Sequence, residues 1–149
     1  MTNTVRIVVL GFCLLLSVHA GADQLSDATA LFARYTSLEA AFDPDIADLY
    51  ADDALIKNKR TYPAGQTREI VLAASQYKQL LRSAMPLAKA RGDYSTYSDV
   101  KFQPDGNAVR ILAKRFSVLK KYYSPISLLV APTPSGAWVI REELSESQP

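Results

Sequence analysis

Cysteine and histidine occur once each, as Cys13 and His19. Both fall in the first 22 residues, so the chain from Asp23 onward has no thiol and no imidazole. That excludes a disulfide, a cysteine nucleophile, a Ser-His-Asp triad and a histidine-ligated zinc or iron. Acid–base work would fall to Asp, Glu, Lys or Tyr, and any metal would be a hard, oxygen-bound ion. An excess of charge is also missing. All 15 acidic residues lie beyond residue 22, and of the 17 basic residues only Arg6 precedes it. The remainder carries a net charge of +1, which gives no reason to expect nucleic acid as a partner. Repeats, low-complexity segments and internal linkers are absent too, so 149 residues read as one domain.

No hydrophobic run is long. The run from Ile7 to Leu16 falls short of the roughly 20 residues a membrane-spanning helix needs. It follows Arg6 and precedes small residues at Val18-His19-Ala20 and Ala20-Gly21-Ala22. This is the three-part layout of a secretory signal peptide. Cys13 follows Phe12, whereas a lipid-attachment cysteine follows a small residue, so a lipoprotein is not expected. The expected organisation is a signal peptide over 1–22, cleaved after Ala20 or Ala22, a domain over 23–144 and a flexible tail over 145–149. The expected location is periplasmic or secreted, with no membrane contact after cleavage.

What is present divides into a helical first part and a strand-rich second part, which suggests α+β. Leu31, Tyr35, Leu38 and Phe42 share one face of a helix expected over Leu25–Phe42. Asp43 suits an N-cap, Pro44 a first helical position and Asp45 a first turn, so a short second helix is expected there. Ala54-Leu55-Ile56 reads as the start of a short strand, and Lys57–Gln66 as a polar loop. A third helix is expected from Thr67, carried by Ile70, Ala74, Tyr77, Leu81, Ala84 and Ala88, with Pro86 kinking it or ending it near Met85. Arg91-Gly92 closes it. Strands are then expected over Tyr94–Gln103, Ala108–Tyr122, Ile126–Ala131 and Ala137–Leu144. They are separated by the turns "PDGN" and "PTPSG", with an edge or a break at Pro125.

Three stretches carry a family likeness: "LFARYTSLEAAFDPDIADLYADDALI" (Leu31–Ile56), the helix opening at Thr67, and "SGAWVIREE" (Ser135–Glu143). Together they resemble the nuclear transport factor 2-like superfamily, which includes ketosteroid isomerases, scytalone dehydratase, polyketide cyclases and many secreted proteins of unknown role. The resemblance implies an α+β, cystatin-like cone, in which a strongly bent antiparallel sheet curls around the N-terminal helices. It implies a pocket at the wide end and, often, a homodimer through the sheet. The isomerase base is an Asp a few residues beyond the stretch matching "LYADDA". The matching position here is Asn58, and an amide cannot take up a proton. Tyr35 matches the tyrosine of the isomerase oxyanion hole.

The aspartates Asp43, Asp45, Asp48, Asp52 and Asp53 look like a metal site. A calcium loop starting at Asp43 fails, because Ala47 and Asp48 occupy the positions that need a ligand and a glycine. Asp52 and Asp53 are expected to form the turn into the strand, by side-chain bonds to backbone N–H groups. Strand alternation puts Arg115 on one face with Val109, Ile111 and Ala113, and Arg110, Leu112, Lys114 and Phe116 on the other. A cation on an apolar face needs an anion, and Glu142, Glu143 or a ligand carboxylate would serve. The expected pocket is therefore Tyr35, Tyr50, Asn58, Tyr97, Arg115 and Trp138, with no metal and no cofactor. The expected function is a non-catalytic domain binding a small amphipathic ligand or a protein partner in the cell envelope. The alternative is a hydro-lyase or isomerase using Tyr35 with Asp53 or Glu142.

Overall fold

A computed structural model describes residues 16–149, with side chains from residue 21 on. Most of the expected signal peptide, Cys13 included, lies outside the described residues. Helix α1, Leu16–Ala40, buries Ala28, Leu31, Phe32 and Tyr35. Their spacing of three, one and three residues makes a single stripe. The helix stops where Phe42 takes φ 56° and turns the chain. A 3-10 helix, Pro44–Leu49, follows. Its N-cap Asp43 accepts a hydrogen bond from the Asp45 amide at 2.9 Å, as a helix start requires.

The next region departs from the sequence expectation. Strand β1 runs Tyr50–Thr61, and β2 runs Thr67–Leu72. The two pair antiparallel from Ile56↔Leu72 to Thr61↔Thr67, so neither the polar loop from Lys57 nor the helix from Thr67 forms as expected. The β-branched residues Thr67, Ile70 and Val71 suit a strand. Helix α2 starts only at Ala74 and runs to Arg91, through Pro86, ending on Gly92 at φ 64°.

Four strands complete the chain: β3 (Ser95–Asp105), β4 (Ala108–Ser117), β5 (Tyr122–Pro132) and β6 (Trp138–Ser147). Gly106 at φ 64° opens the tight β3–β4 turn, which fits the expected "PDGN" signal. The long strand expected over Ala108–Tyr122 is broken instead at Val118–Lys121. Lys121 takes φ 60° there, and its amide bonds the Ser117 carbonyl at 2.9 Å. Pro125 does not break β5. It sits opposite Lys114, and pairing with β6 starts one residue later, at Ile126↔Ser145. The segment expected as a flexible tail is strand as far as Ser147.

The six strands form one sheet in the order β2-β1-β6-β5-β4-β3. All pairs are antiparallel except β1 with β6. The bent, unclosed sheet packs its inner face, including Ile56, Val109, Ile111, Leu128, Val130 and Ile140, against α1, the 3-10 helix and Met85 of α2. Where β5 meets β6, Val130 faces Ile140 but Leu129 faces Glu142. Arg141 is therefore an extra residue, a β-bulge.

Candidate functional site

The bulge decides which glutamate enters the core. Strict alternation from Ile140 would turn Glu142 inward. With Arg141 inserted, Glu142 faces out beside Leu129, and Glu143 faces in beside Leu128. Glu142 pairs with Arg110 on the outer face at 2.8 Å. Glu143 is 2% exposed, and its carboxyl accepts hydrogen bonds from the Tyr50 hydroxyl at 2.5 Å and the Tyr77 hydroxyl at 3.1 Å. Burial, reinforced by the nearby Glu143, pushes both hydroxyls well above the ordinary tyrosine range, so they stay protonated donors. Sequence reading put Tyr50 in the pocket and did not pair it with Glu143. The bulge that joins them has no marker in the local sequence.

The two other expected carboxyl roles also fall away. Asp53 lies at the start of β1, bonded to Arg141 at 2.8 Å, with its side chain 78% exposed. Asp52 is bonded to Lys78 at 2.7 Å, which lowers its pKa. Neither shapes a turn, because β1 already begins at Tyr50. Asp53 and Glu142 therefore do not converge on Tyr35.

A second buried group lies within electrostatic reach of Glu143. The Tyr97 hydroxyl donates to Glu39 at 2.5 Å and lies 3.5 Å from the Tyr35 hydroxyl. Phe32 stacks on Tyr35 and meets Tyr97 edge-on. Burial pushes Tyr35 and Tyr97 well up. Burial also raises Glu39, against the lowering effect of its bonds to Tyr97 and Ser95 and of the Arg115 charge. A raised carboxyl contributes stability below its unfolded value, near 4.5, and loses it as pH rises through the folded value. The Glu39 contribution to the urea midpoint should therefore slope down from acid toward neutral pH, opposite in sign to those of Asp52 and Asp99. Glu39→Gln should flatten that slope and match or exceed wild type at neutral pH.

Arg115 sits beside this group on β4. Burial opposes its charge, but Tyr35, Tyr97, Glu143 and Glu39 outweigh that and raise its pKa above the ordinary arginine value. It forms no ion pair among the described residues. Its bonds go to Ser124 Oγ at 3.4 Å and to the Glu146 carbonyl at 2.9 Å. The expected partners Glu142 and Glu143 are both engaged elsewhere.

Strand register extends Arg115 into a row. Tyr97, Arg115 and Ser124 are neighbours on β3, β4 and β5, and Ser147, Arg60 and Arg68 on β6, β1 and β2. Continuing the β5–β6 register by two residues brings Ser124 and Ser147 together. One level deeper, Asn58 donates to Ser145 Oγ at 3.0 Å and accepts from Ser147 Oγ at 2.7 Å. Both ends of the Asn58 amide are thus engaged. The Arg60 Nε is buried and has no partner in the structure. Trp138 stands apart from this row, packed against the core at the first position of β6, opposite Pro132. The inner face therefore grades from apolar at Val109, Ile111 and Val130 to polar and cationic at Arg60 and Arg115. The outer face carries a groove of about 960 Å³, with Leu112 and Leu144 in its lining and Lys57, Lys59 and Lys114 around them. Among the described residues no cluster of His, Cys, Asp and Glu is arranged to hold a metal.

No protein family model and no curated protein matches the sequence. Solved structures do. An NTF2-like protein with a cystatin-like fold from Novosphingobium aromaticivorans is 17% identical, with TM-score 0.57, covering 91% of each chain. An NTF2-like protein of unknown function from Pseudomonas putida KT2440 is 14% identical, with TM-score 0.65, covering 85% of this chain and 87% of its own. A candidate dehydratase of the NTF2-like family from Streptomyces avermitilis is 12% identical, with TM-score 0.59, covering 85% of this chain and 96% of its own. The chain has the NTF2-like, cystatin-like α+β fold. That fold hosts many unrelated functions, so the site must carry the functional argument.

Proposed function

We propose that this is an exported, non-catalytic domain that binds a small amphipathic carboxylate in its cone. The observation that carries this reading is Arg115, a half-buried guanidinium at the polar end of the inner face that forms no ion pair among the described residues and bonds only Ser124 Oγ and the Glu146 carbonyl. A buried cation of this kind is stabilised by a bidentate oxyanion. The buried, unpartnered Arg60 Nε on the same row supports it. Neither Asn58, locked between two serines, nor Glu143, closed off by two tyrosines, is free to act as a base, which also favours binding over catalysis.

The test is thermal unfolding with dodecanoate or cholate against the matched alcohols. Saturating carboxylate should raise Tm by about 9 °C, the shift expected from ~2–3 kcal/mol of binding to a domain of this size. Equal shifts from acid and alcohol, or none from either, would sink the reading. Export is tested by sequencing the N-terminus of secreted material, expected at Gly21 or Asp23. The outer groove is the proposed homodimer face, and analytical ultracentrifugation should report a dimer that Leu144→Asp dissociates.

Glu39 favours a second reading, as a hydro-lyase or isomerase. Its raised carboxyl and its bond to Tyr97, beside Tyr35 and Arg115, would suit an acid–base role. Turnover of an unsaturated or β-hydroxy acid, abolished by Glu39→Gln, would replace the binding reading with this one.

A further inference from the structure

Three exposed apolar side chains, Leu119, Tyr123 and Tyr94, gather at one end of the sheet, apart from Val71 on β2 and Leu80 and Leu87 on α2. The β4–β5 turn presents Leu119 at 45% exposure, and Tyr123 beside it at 64%. Tyr123 packs on Phe116, ring centroids 4.7 Å apart. The Val118 amide bonds the Tyr94 carbonyl at 3.0 Å, which brings in Tyr94, itself 37% exposed and edge-on to Phe42 at 6.2 Å. Phe116, Leu119 and Tyr123 are near neighbours in sequence, and the fold adds Tyr94 and Phe42 to them.

The unpaired charge at the tip of the turn is positive. From Gly106 to Arg141 the chain has six basic residues and no acidic one. Lys120 and Lys121 flank Leu119 at the tip and form no ion pair among the described residues. Lys120 Nζ reaches only the Gln148 carbonyl, at 3.3 Å. Two acids border the patch, Asp43 next to Phe42 and Asp93 next to Tyr94, and neither pairs with Lys120 or Lys121.

We propose that this turn docks the domain peripherally on an anionic lipid surface. An aliphatic residue at a tip, tyrosines behind it and lysines beside it match the layers of a bilayer interface. A convex turn does not offer the roughly 800 Å² per partner that a stable protein interface buries, whereas lipid accepts single inserted side chains. No described helix is long and apolar enough to cross a membrane, so the contact is superficial. The turn joins β4 and β5 just beyond Arg115 and Ser124, so docking would bring the polar row to the membrane surface. The inference does not depend on what the cone binds.

The test places an indole at the tip, by Leu119→Trp in the full chain, and reads its quenching by lipids brominated in the acyl chain. The wild type, whose single indole is Trp138, is the baseline. This readout is local, so binding through the apolar N-terminal segment cannot imitate it. Quenching is expected with phosphatidylglycerol vesicles and not with phosphatidylcholine alone. Adding Lys120→Glu and Lys121→Glu should weaken it roughly 30-fold in lipid concentration, at about 1 kcal/mol per lysine. Circular dichroism checks that each variant folds. An unquenched indole in anionic vesicles, or quenching indifferent to both lipid charge and lysine reversal, would overturn the proposal. The first result would also be the outcome if the patch served a protein or a second copy.

Discussion

Glu143→Ala should lose about 3–4 kcal/mol of folding free energy, because two buried hydroxyls would be left without an acceptor at roughly 1–3 kcal/mol each. Tyr50 and Tyr77 both donate to this one carboxyl, and Tyr50 is 2% exposed, so water cannot easily stand in. A loss of that size is a large share of the ~5–15 kcal/mol that holds a domain folded. Glu143→Gln keeps one acceptor oxygen but turns an NH2 toward a donor, and should cost about half as much. Tyr77→Phe should be milder still, since Tyr50 remains. Urea midpoints of the four proteins check the order. If Glu143→Ala unfolds no earlier than wild type, the carboxyl is not a structural centre, and a catalytic assignment reopens.

Arg115→Met should do the reverse: it should cost binding and leave folding intact. Methionine fills the stem's volume without a charge to bury, so Tm should hold or rise. Removing one partner of a buried charge-assisted contact costs ~2–5 kcal/mol, or roughly 30-fold and upward in affinity. Titration with dodecanoate, followed by calorimetry, should show that loss. Arg115→Lys should recover part of it, because an ammonium keeps the charge but not the planar fork. Unchanged affinity in Arg115→Met would remove the oxyanion from the ligand and leave only its apolar part.

Some of this arrangement was legible in the sequence because it is local. Asp43-Pro44-Asp45 announces a helix start within three residues, and Gly92 and Gly106 stand where the backbone turns left-handed. Alternation along β4 put Arg115 among Val109, Ile111 and Ala113 because that strand has no bulge between them. The failures come from partners far away in the chain. Lys57–Thr61 look like a loop, yet they are strand because β2 on one side and β6 on the other supply their hydrogen bonds. Ile70 and Ala74 keep helical spacing although they belong to different elements. The turn at Lys121 has neither Gly nor Pro to mark it. Glu142 and Glu143 are adjacent glutamates that only the bulge at Arg141 tells apart.

The parallel pairing of β1 with β6 has a consequence for the order of assembly. Tyr50 meets Ile140, and Ile56 meets Glu143, across some ninety residues of chain. Up to that point the chain is two pieces, a β1–β2 hairpin with helices and a β3–β4–β5 meander, and the sheet joins them only through β6. Pairings this distant are slow, because the loop must close before any contact repays it. A nascent chain still attached at its C-terminus therefore has no finished centre and no acceptor for Tyr50. The two pieces stay unjoined until β6 is free to pair. That order of assembly is compatible with the export proposed above.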